Sequence, residues 1–246
     1  MNLYGLIGYP LGHSFSKQFF NDKFVKEGLE DYFFELYPLA QINDLLPLLA
    51  VTPALKGLAV TIPYKESVIP FLTTCSEESV AIGAVNCISV VGTHLKGYNT
   101  DVIGFEQSFT KLLQPHHTKA LILGTGGASK AVQYVLNKLQ IPFFVVSRKA
   151  NAVHNILAYE EVDQQIISEH TIIINCTPLG MTPDETSKPP IPYTAITDQH
   201  FLYDLVYKPA MTAFLNEGKQ RQSIIKNGFE MLLLQAEENW KIWNSG

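Results

Sequence analysis

The chain has few cysteines, little excess charge and no long apolar run. Its 246 residues include three cysteines that stand far apart, without a C-x-x-C pair or histidines at metal-ligand spacing. This pattern suggests neither a disulfide framework nor a zinc site, and we expect reduced thiols in a cytoplasm and no bound metal. The N-terminus has no basic segment ahead of an apolar one, and no run approaches the length of a membrane span.

The charge balance gives no sign of a polyanionic partner. The net charge is −5, with 17% charged and 46% hydrophobic residues. No broad attraction to nucleic acid or to an anionic membrane follows, so any anion must be met by a local site. The apolar content is sufficient for one large domain or two modest ones. We expect no nucleic-acid or membrane partner, and a monomer or a homodimer.

One glycine-rich loop organises the second half of the chain. It follows a short apolar run at 120–123 that suits a buried strand, and it precedes apolar positions at helical spacing between 131 and 139. Glycines leave no side chain between the loop and a pyrophosphate, and the helix N-terminus offers unpaired N–H groups. The loop therefore predicts a dinucleotide phosphate cradle, although Ser129 replaces the third glycine of G-x-G-x-x-G. The expected contacts are Gly124, Gly126, Gly127 and Ala128.

The end of the next strand favours NADP as the nucleotide. Ser147, Arg148 and Lys149 stand about twenty residues beyond the glycines, where an NAD-binding unit would place an acid for the ribose 2′-hydroxyl. Arg148 can stack on an adenine and grip a 2′-phosphate with its fork of donors. The alternative interpretation is an ordinary solvated basic turn, which is common on protein surfaces. The position of these residues after the second strand favours the NADP interpretation.

Two groups of strands predict two α/β domains. The first hundred residues predict a mostly parallel sheet from strands at 3–8, 32–37 and 57–62, helices at 17–26 and 41–49, and a hairpin at 85–91 and 94–98. The second group predicts an open doubly wound, Rossmann-like sheet from strands at 120–123, 143–146, 171–177, 202–207 and 223–225. Helices are expected from about 101 and over 229–243.

Polar residues near the predicted strand ends are candidate site residues. Ser14 and Ser16 follow the first strand, where they could bind a ligand carboxylate or simply cap a helix. Lys65 follows the third strand at the predicted first turn of a helix, whose dipole would oppose its charge and ease its use in proton transfer. Asp101 opens a later helix, and a first-turn acid that complements the dipole is its simpler interpretation.

Several separated motifs, in order, are similar to those of the shikimate dehydrogenase family. The blocks are Gly8-Tyr9-Pro10 with His13-Ser14-Phe15-Ser16, Val60-Thr61-Ile62-Pro63-Tyr64-Lys65, Gly83-Ala84-Val85-Asn86, Asn99-Thr100-Asp101, the glycine loop, Asn175-Cys176-Thr177-Pro178-Leu179-Gly180-Met181, Tyr203-Asp204-Leu205-Val206-Tyr207 and 231–235. The resemblance covers nearly the whole chain. It implies NADP-linked interconversion of 3-dehydroshikimate and shikimate, in aromatic amino-acid precursor synthesis, at a cleft between a substrate domain and a Rossmann domain.

The resemblance also assigns roles to individual residues. It implies a catalytic pair of Lys65 and Asp101, with Ser14 and Ser16 on the substrate carboxylate. Other substrate contacts would be Thr61, Asn86, Tyr207 and Gln235, and other cofactor contacts would be Thr177 and Gly228. Residues 1–101 with the helix 229–246 would form the substrate domain, and 102–228 the NADP domain.

The sequence departs from the family pattern at three places and leaves two alternatives open. Lys17 stands for a proline, Ala59 for an asparagine and Asn227 for an aspartate. Ala59 would remove one amide from the cleft wall, and Lys17 would add a cation near the carboxylate. One alternative is a relative that acts on quinate or a similar hydroxy acid, or that uses NAD. The other is a ligand-binding protein without turnover, although the retention of Lys65 and Asp101 speaks against it.

Overall fold

The structure, a computed structural model, describes residues 1–12, 14–151 and 155–245 and consists of two compact units. The first unit comprises Met1–Thr100 and Ala236–Gly246, and the second comprises Asp101–Gln235. The division predicted from the sequence has its boundaries after residues 101 and 228. His13, which belongs to one of the family-like motifs, lies outside the described residues.

The first unit is built on a six-stranded mixed sheet. Its elements are β1 (Asn2–Gly8), α1 (Phe15–Lys26), β2 (Tyr32–Pro38), α2 (Leu45–Val51), β3 (Leu55–Val60), β4 (Thr74–Cys75), α3 (Glu77–Ile82), β5 (Cys87–Val91) and β6 (His94–Tyr98). The strand order is β2-β1-β3-β5-β6-β4. Strands β1, β2 and β3 are parallel, and β5 runs antiparallel to both β3 and β6. The predicted hairpin is therefore present, and the two-residue edge strand β4 is an addition.

Alternating side chains of the first sheet fill two apolar layers. Ile7 and Leu58 point to the layer that contains helix α2. Tyr4, Phe20 of α1 and Trp243 belong to the opposite layer. The indole Nε1 of Trp243 also donates to the carbonyl of Ile88 at 3.0 Å. Both sheet faces are covered, so only the strand ends remain for a site.

The helix predicted to begin at Lys65 is absent, and this expectation was wrong. The segment after β3 forms turns, followed by a short 3₁₀ helix over Ile69–Phe71. Pro70 lacks an N–H group and disfavours the helical conformation of Ile69, so a single turn cannot continue as an α-helix. Lys65 consequently does not face an α-helix dipole.

The second unit is built on a six-stranded parallel sheet. Its elements are α4 (Asp101–Thr110), β7 (Ala120–Leu123), α5 (Gly127–Lys138), β8 (Phe143–Ser147), β9 (Ile156–Ala158), α6 (Gln164–Glu169), β10 (Ile172–Asn175), β11 (Phe201–Asp204), α7 (Ala213–Gln220), β12 (Ile224–Asn227) and α8 (Phe229–Asn244). The order is β12-β11-β10-β7-β8-β9, with every pair parallel. This order changes direction at β7, as in a doubly wound nucleotide-binding sheet, and confirms the predicted fold class. Residues of α8 from Ala236 onwards belong to the first unit.

Three elements of the second unit lie in segments where the sequence predicted no regular structure. They are the edge strand β9 and the short helices α6 and α7. Strand β9 has three half-buried residues and α6 has six residues in all, so neither is long enough for a clear periodic pattern.

The described residues were also compared with the requirements for a membrane span and for a metal centre. None of their helices combines the length and the apolar character that crossing a bilayer demands. They bring together no cluster of three or more histidine, cysteine, aspartate or glutamate side chains that could hold a metal ion.

Candidate active site

The glycine turn of the second unit leaves open space where a phosphate would lie. Gly124 has φ of +108°, a conformation that favours glycine, and a Cβ there would lie 3.0 Å from the Thr177 Cγ2. Gly126 is the N-cap of α5, and an added Cβ would meet no atom within 4 Å. The predicted cradle residues Gly124, Gly126, Gly127 and Ala128 thus lie together between β7 and the start of α5.

Ser129, which replaces the third glycine of the motif, is turned away from the loop. The Ser129 side chain is fully buried, and its Oγ accepts a hydrogen bond from Gln133 Nε2 at 3.1 Å. It therefore packs within helix α5 and does not fill the space above Gly126. The exposed N–H groups of the first turn of α5 remain suited to an anion.

Two cations stand where a 2′-phosphate would be recognised. Ser147 is the last residue of β8, the strand next to β7, and Arg148 and Lys149 follow it. Both cations are exposed, and neither forms an ion pair with another described residue. The glycine turn, the α5 N-terminus and these cations together fit the phosphates of NADP.

Thr177 is held by a neighbouring asparagine at the end of β10. The amide oxygen Oδ1 of Asn175 accepts from the Thr177 backbone N at 3.0 Å and from its hydroxyl at 2.6 Å. The Thr177 hydroxyl in turn accepts from the backbone N of Leu179 at 3.3 Å. Asn175 is fully buried and was quoted in a motif without being assigned a role.

A buried aspartate at the end of β11 is a further residue that the sequence prediction missed. The carboxylate of Asp204 accepts from Thr212 Oγ1 at 2.5 Å, from Asn175 Nδ2 at 2.9 Å and from Val206 N at 3.0 Å. Burial raises the pKa of Asp204 to about 6, and these three hydrogen bonds oppose the shift. A signal was present, since Asp204 is a charged residue within an otherwise apolar strand.

Tyr207 and Gly228 lie beyond β11 and β12, next to that aspartate. Tyr207 is half-buried, and this burial raises the pKa of its phenol. Gly228 donates its N–H to the carbonyl of Val206 at 3.2 Å, and the backbone of Leu205 occupies the place that a Cβ would need. The position consequently requires glycine for close packing.

Asp101 and Gln235 are buried on two neighbouring helices of the second unit. Their side chains are 5% and 9% exposed. Gly104 lies one turn after Asp101 in α4, and a Cβ there would approach Met231 and, at 3.3 Å, the Gln235 Cβ. Because residue 104 is glycine, helix α4 can pack closely against α8 at this point. Both predicted site residues, Asp101 and Gln235, lie beside this contact. Gln235 Nε2 donates to the carbonyl of Leu232 at 2.9 Å.

The first unit collects its predicted site residues at one end of its sheet. Strands β1, β3 and β6 end there, and the antiparallel strand β5 begins there. Ser14 is the N-cap of α1, yet its side chain makes no capping hydrogen bond to that helix. The capping interpretation therefore does not account for the Ser14 hydroxyl. Ser16 lies in the first turn of the same helix.

Thr61 and Lys65 are positioned by backbone hydrogen bonds to two other strands. The Thr61 N–H donates to the carbonyl of Ile7 at 3.0 Å, which ties it to β1. The carbonyl of Lys65 accepts from Val85 N at 2.7 Å, one residue before Asn86. Lys65 and Asn86 therefore belong to adjacent segments at the same sheet end.

Asn86 is fixed by a buried polar network within the first unit. Its Oδ1 accepts from Thr100 N at 2.7 Å and lies 3.1 Å from the Thr100 hydroxyl. The same hydroxyl donates to Asn239 Oδ1 at 2.7 Å. Asn86, Thr100 and Asn239 are each at most 3% exposed. Asn239 was missed, although an amide on the apolar face of α8 was a detectable signal.

The three departures from the family pattern each have a local partner. Ala59 is buried in the apolar layer that contains Phe20 and Trp243. Lys17 forms an ion pair with the exposed Glu35 at 2.6 Å. Asn227 accepts at Oδ1 from Phe229 N at 3.2 Å, at the beginning of α8.

Comparison with known proteins connects this geometry to one family. A family described as shikimate dehydrogenase substrate binding domain matches residues 6–88. The shikimate dehydrogenase (NADP(+)) of Carboxydothermus hydrogenoformans is 36% identical, over 98% of this chain and 91% of its own length. The one from Caldanaerobacter subterraneus subsp. tengcongensis is 34% identical with the same coverage.

A solved structure extends the similarity to three dimensions. Shikimate 5-dehydrogenase from Thermus thermophilus, in complex with NADP(H) and shikimate, superposes with a TM-score of 0.88 at 28% identity. The match covers 100% of this chain and 94% of that one. With sequence identity above 30% along almost the full length of curated relatives, the chain belongs to the shikimate dehydrogenase family.

Proposed function

We propose that this protein is an NADP-dependent oxidoreductase that interconverts shikimate and 3-dehydroshikimate, a step of chorismate and aromatic amino-acid biosynthesis. The observation that carries the proposal is the near-full-length match to curated NADP-dependent shikimate dehydrogenases, on a chain that has a matching phosphate turn. The relative from Thermus thermophilus binds NADP(H) and shikimate together.

The first unit is proposed to bind the substrate, and the second to bind the cofactor. Ser14 and Ser16 would hold the carboxylate, Thr61, Asn86 and Gln235 would hold ring hydroxyls, and Tyr207 would also lie at the substrate. The cofactor residues are proposed to be Gly124, Gly126, Gly127, Ala128, Ser147, Arg148, Lys149, Thr177 and Gly228. Backbone N–H groups at the glycine turn and cations after β8 support the second assignment.

Lys65 and Asp101 are proposed to form the catalytic pair. Oxidation of the substrate alcohol removes a hydride from carbon and a proton from oxygen, and NADP, when bound, would supply the hydride acceptor. Lys65 and Asp101 would together take the hydroxyl proton, and in the reverse direction they would return it to the ketone oxygen. The ammonium would also stabilise negative charge on that oxygen.

A spectrophotometric assay tests the function directly. We expect NADPH formation, followed by its absorbance, when the purified protein is mixed with shikimate and NADP. Quinate and NAD serve as the control substrate and the control cofactor. Turnover of quinate in preference to shikimate, or no turnover with any pair, would overturn the proposal.

The cofactor preference has its own test at Arg148. We expect Arg148→Ala to weaken NADP binding by about 10- to 100-fold, because a hydrogen-bonded charge pair with the 2′-phosphate is lost. NAD lacks that phosphate, so its affinity should change little. Equal losses for both cofactors would mean that the 2′-phosphate is recognised elsewhere.

We also propose a cytoplasmic location and a monomeric or homodimeric state. All three cysteines are free thiols in the structure, which suits a reducing compartment. Sedimentation of the purified protein would determine its oligomeric state.

A further inference from the structure

Asp204 is a buried carboxylate that the catalytic scheme does not use. It is fully buried as the last residue of β11, and none of the ion pairs in the described part of the chain includes it. A buried charge without a cation is costly to desolvate, so its hydrogen-bond donors matter. They are Asn175 on the paired strand β10, Val206 two residues further along the chain, and Thr212 at the N-cap of α7, so the carboxylate connects the end of β10 with the β11–α7 connection.

The first connection leads to Thr177. Asn175 Nδ2 donates to Asp204 at 2.9 Å and, over 3.4 Å, to the carbonyl of Leu179, so the carboxylate is the nearer of the two acceptors that orient the amide. The opposite end, Oδ1, then accepts both the backbone N–H and the hydroxyl of Thr177. The carboxylate therefore helps to orient Thr177 through one intervening side chain.

The second connection leads to the segment that carries Tyr207. Val206 donates its N–H to Asp204, and its carbonyl accepts from Gly228 N. Tyr207 is the next residue along the chain. The third donor, Thr212, also accepts from Leu215 N as the N-cap of α7 and so anchors the carboxylate to a helix.

All of these residues lie on one side of the glycine turn. Strands β10, β11 and β12 are on the opposite side of β7 from β8, which precedes Arg148. A dinucleotide lies across the carboxyl ends of such a sheet, with one nucleotide on either side of the point where the strand order reverses. Because Arg148 would occupy the adenosine side, Thr177, Tyr207 and Gly228 occupy the nicotinamide side.

We propose that Asp204 is a positioning residue for the nicotinamide end of the cofactor site, acting through Asn175 on Thr177 and through Val206 on Tyr207 and Gly228. The inference rests on the proposed function, because it requires that NADP binds across this sheet. Its specific content is that Asp204 orders one half of the dinucleotide site and leaves the other half unaffected.

The test compares two ligands that differ only at the nicotinamide end. Affinities of the full-length protein for NADP and for 2′-phosphoadenosine diphosphoribose, which lacks the nicotinamide, are measured by titration calorimetry. In Asp204→Ala we expect NADP affinity to fall on the order of 10-fold, with the fragment changed less than about 2-fold. A general loss of structure would weaken both ligands alike, and that result would overturn the inference.

Two further variants keep the test informative. Thr212→Val removes one donor and the α7 cap but leaves the links to Asn175 and Val206, so we expect a lower melting temperature with an unchanged affinity ratio. If Asp204→Ala does not fold, Asn175→Leu replaces it, because it removes the link from the carboxylate to Thr177 and leaves Asp204 its other two donors. There an NADP-specific loss of about 3-fold is expected, and an unchanged ratio contradicts the inference. Failure of the unaltered protein to bind NADP would overturn the proposed function as well.

Discussion

The two units hold polar groups at the carboxyl ends of their strands in different ways. In the first unit the predicted site is made of side chains, and Asn86 is fixed by a network with Thr100 and Asn239. In the second unit the predicted cofactor site is made of backbone, with glycines that keep space open and a helix that offers N–H groups. The difference matches the ligands, because a ring with hydroxyls needs directional partners whereas phosphates need several N–H groups and room.

The largest expected effect comes from a side chain in the first unit. Lys65→Ala should lower kcat by a factor on the order of 10² to 10⁴, because a positioned acid–base group is lost while the fold is kept. Steady-state assays with shikimate and NADP measure this loss. The matched control is Lys56→Ala, at an exposed position of β3, and its kcat should be near that of the unaltered protein. Near-normal turnover in Lys65→Ala would show that the catalytic pair is misassigned.

The next effect concerns the open space at the glycine turn. Gly126 has an ordinary φ of −72°, so Gly126→Val should fold while its side chain enters the proposed phosphate position. We expect NADP affinity to fall about 10- to 100-fold with a melting temperature within a few degrees of the original. Gly12→Ala, where a Cβ also meets no atom within 4 Å, is the control. Unchanged NADP affinity in Gly126→Val would remove the turn from the cofactor site.

A smaller effect should separate the network of the first unit from that of the second. Asn239→Leu deprives Thr100 of its partner and loosens Asn86, so KM for shikimate should rise about 3- to 10-fold while KM for NADP stays constant. Trp243→Phe, which removes a hydrogen bond from the same helix to Ile88, should cost stability without this change in KM. If both variants alter the two KM values equally, the network is only structural.

The smallest effect concerns pH and lies in the second unit, which contains the buried histidines of the described chain. Burial, and secondarily the neighbouring His116, lowers the pKa of His117 to about 4. In the unfolded chain the His117 imidazole takes up a proton near pH 6.5, whereas in the folded chain it stays neutral. The free energy of unfolding therefore falls as the pH drops from about 6.5 towards 4. Melting temperatures should therefore decline between about pH 7 and pH 5. The expected decline is roughly 2–4 °C for each kcal/mol of unfolding free energy that is lost.

The variant His117→Asn measures how much of this decline belongs to one group. Its amide oxygen can replace the Nδ1 that accepts from Gln114 N, and it cannot titrate. We expect a shallower loss of melting temperature on acidification than in the unaltered protein. Identical slopes would assign the acid sensitivity to His170 and His200, whose pKa values burial also lowers.

Much of the fold was predictable because its signals are local. The glycine loop stands between an apolar strand and an amphipathic helix, and the hairpin strands are separated by a Gly-Thr turn. The helix expected at Lys65 does not form because Pro70, five residues later, lacks an N–H group and disfavours the helical conformation of Ile69. The short elements β9 and α6 were missed because they contain too few residues to show a period, whereas the eight-residue helix α7 has an apolar face that the sequence did contain.

The sequence by itself determined the alternation of strands and helices, the phosphate turn, and the residues that resemble those of one enzyme family. Each of these depends on neighbours along the chain or on the order of short motifs. Only the tertiary structure decided that Asn239 shares a hydrogen bond with Thr100, 139 positions away, and that Asp204 accepts one from Asn175, 29 positions away. Hydrogen bonds between distant segments leave no periodic trace, because their geometry exists only after the strands and helices have packed.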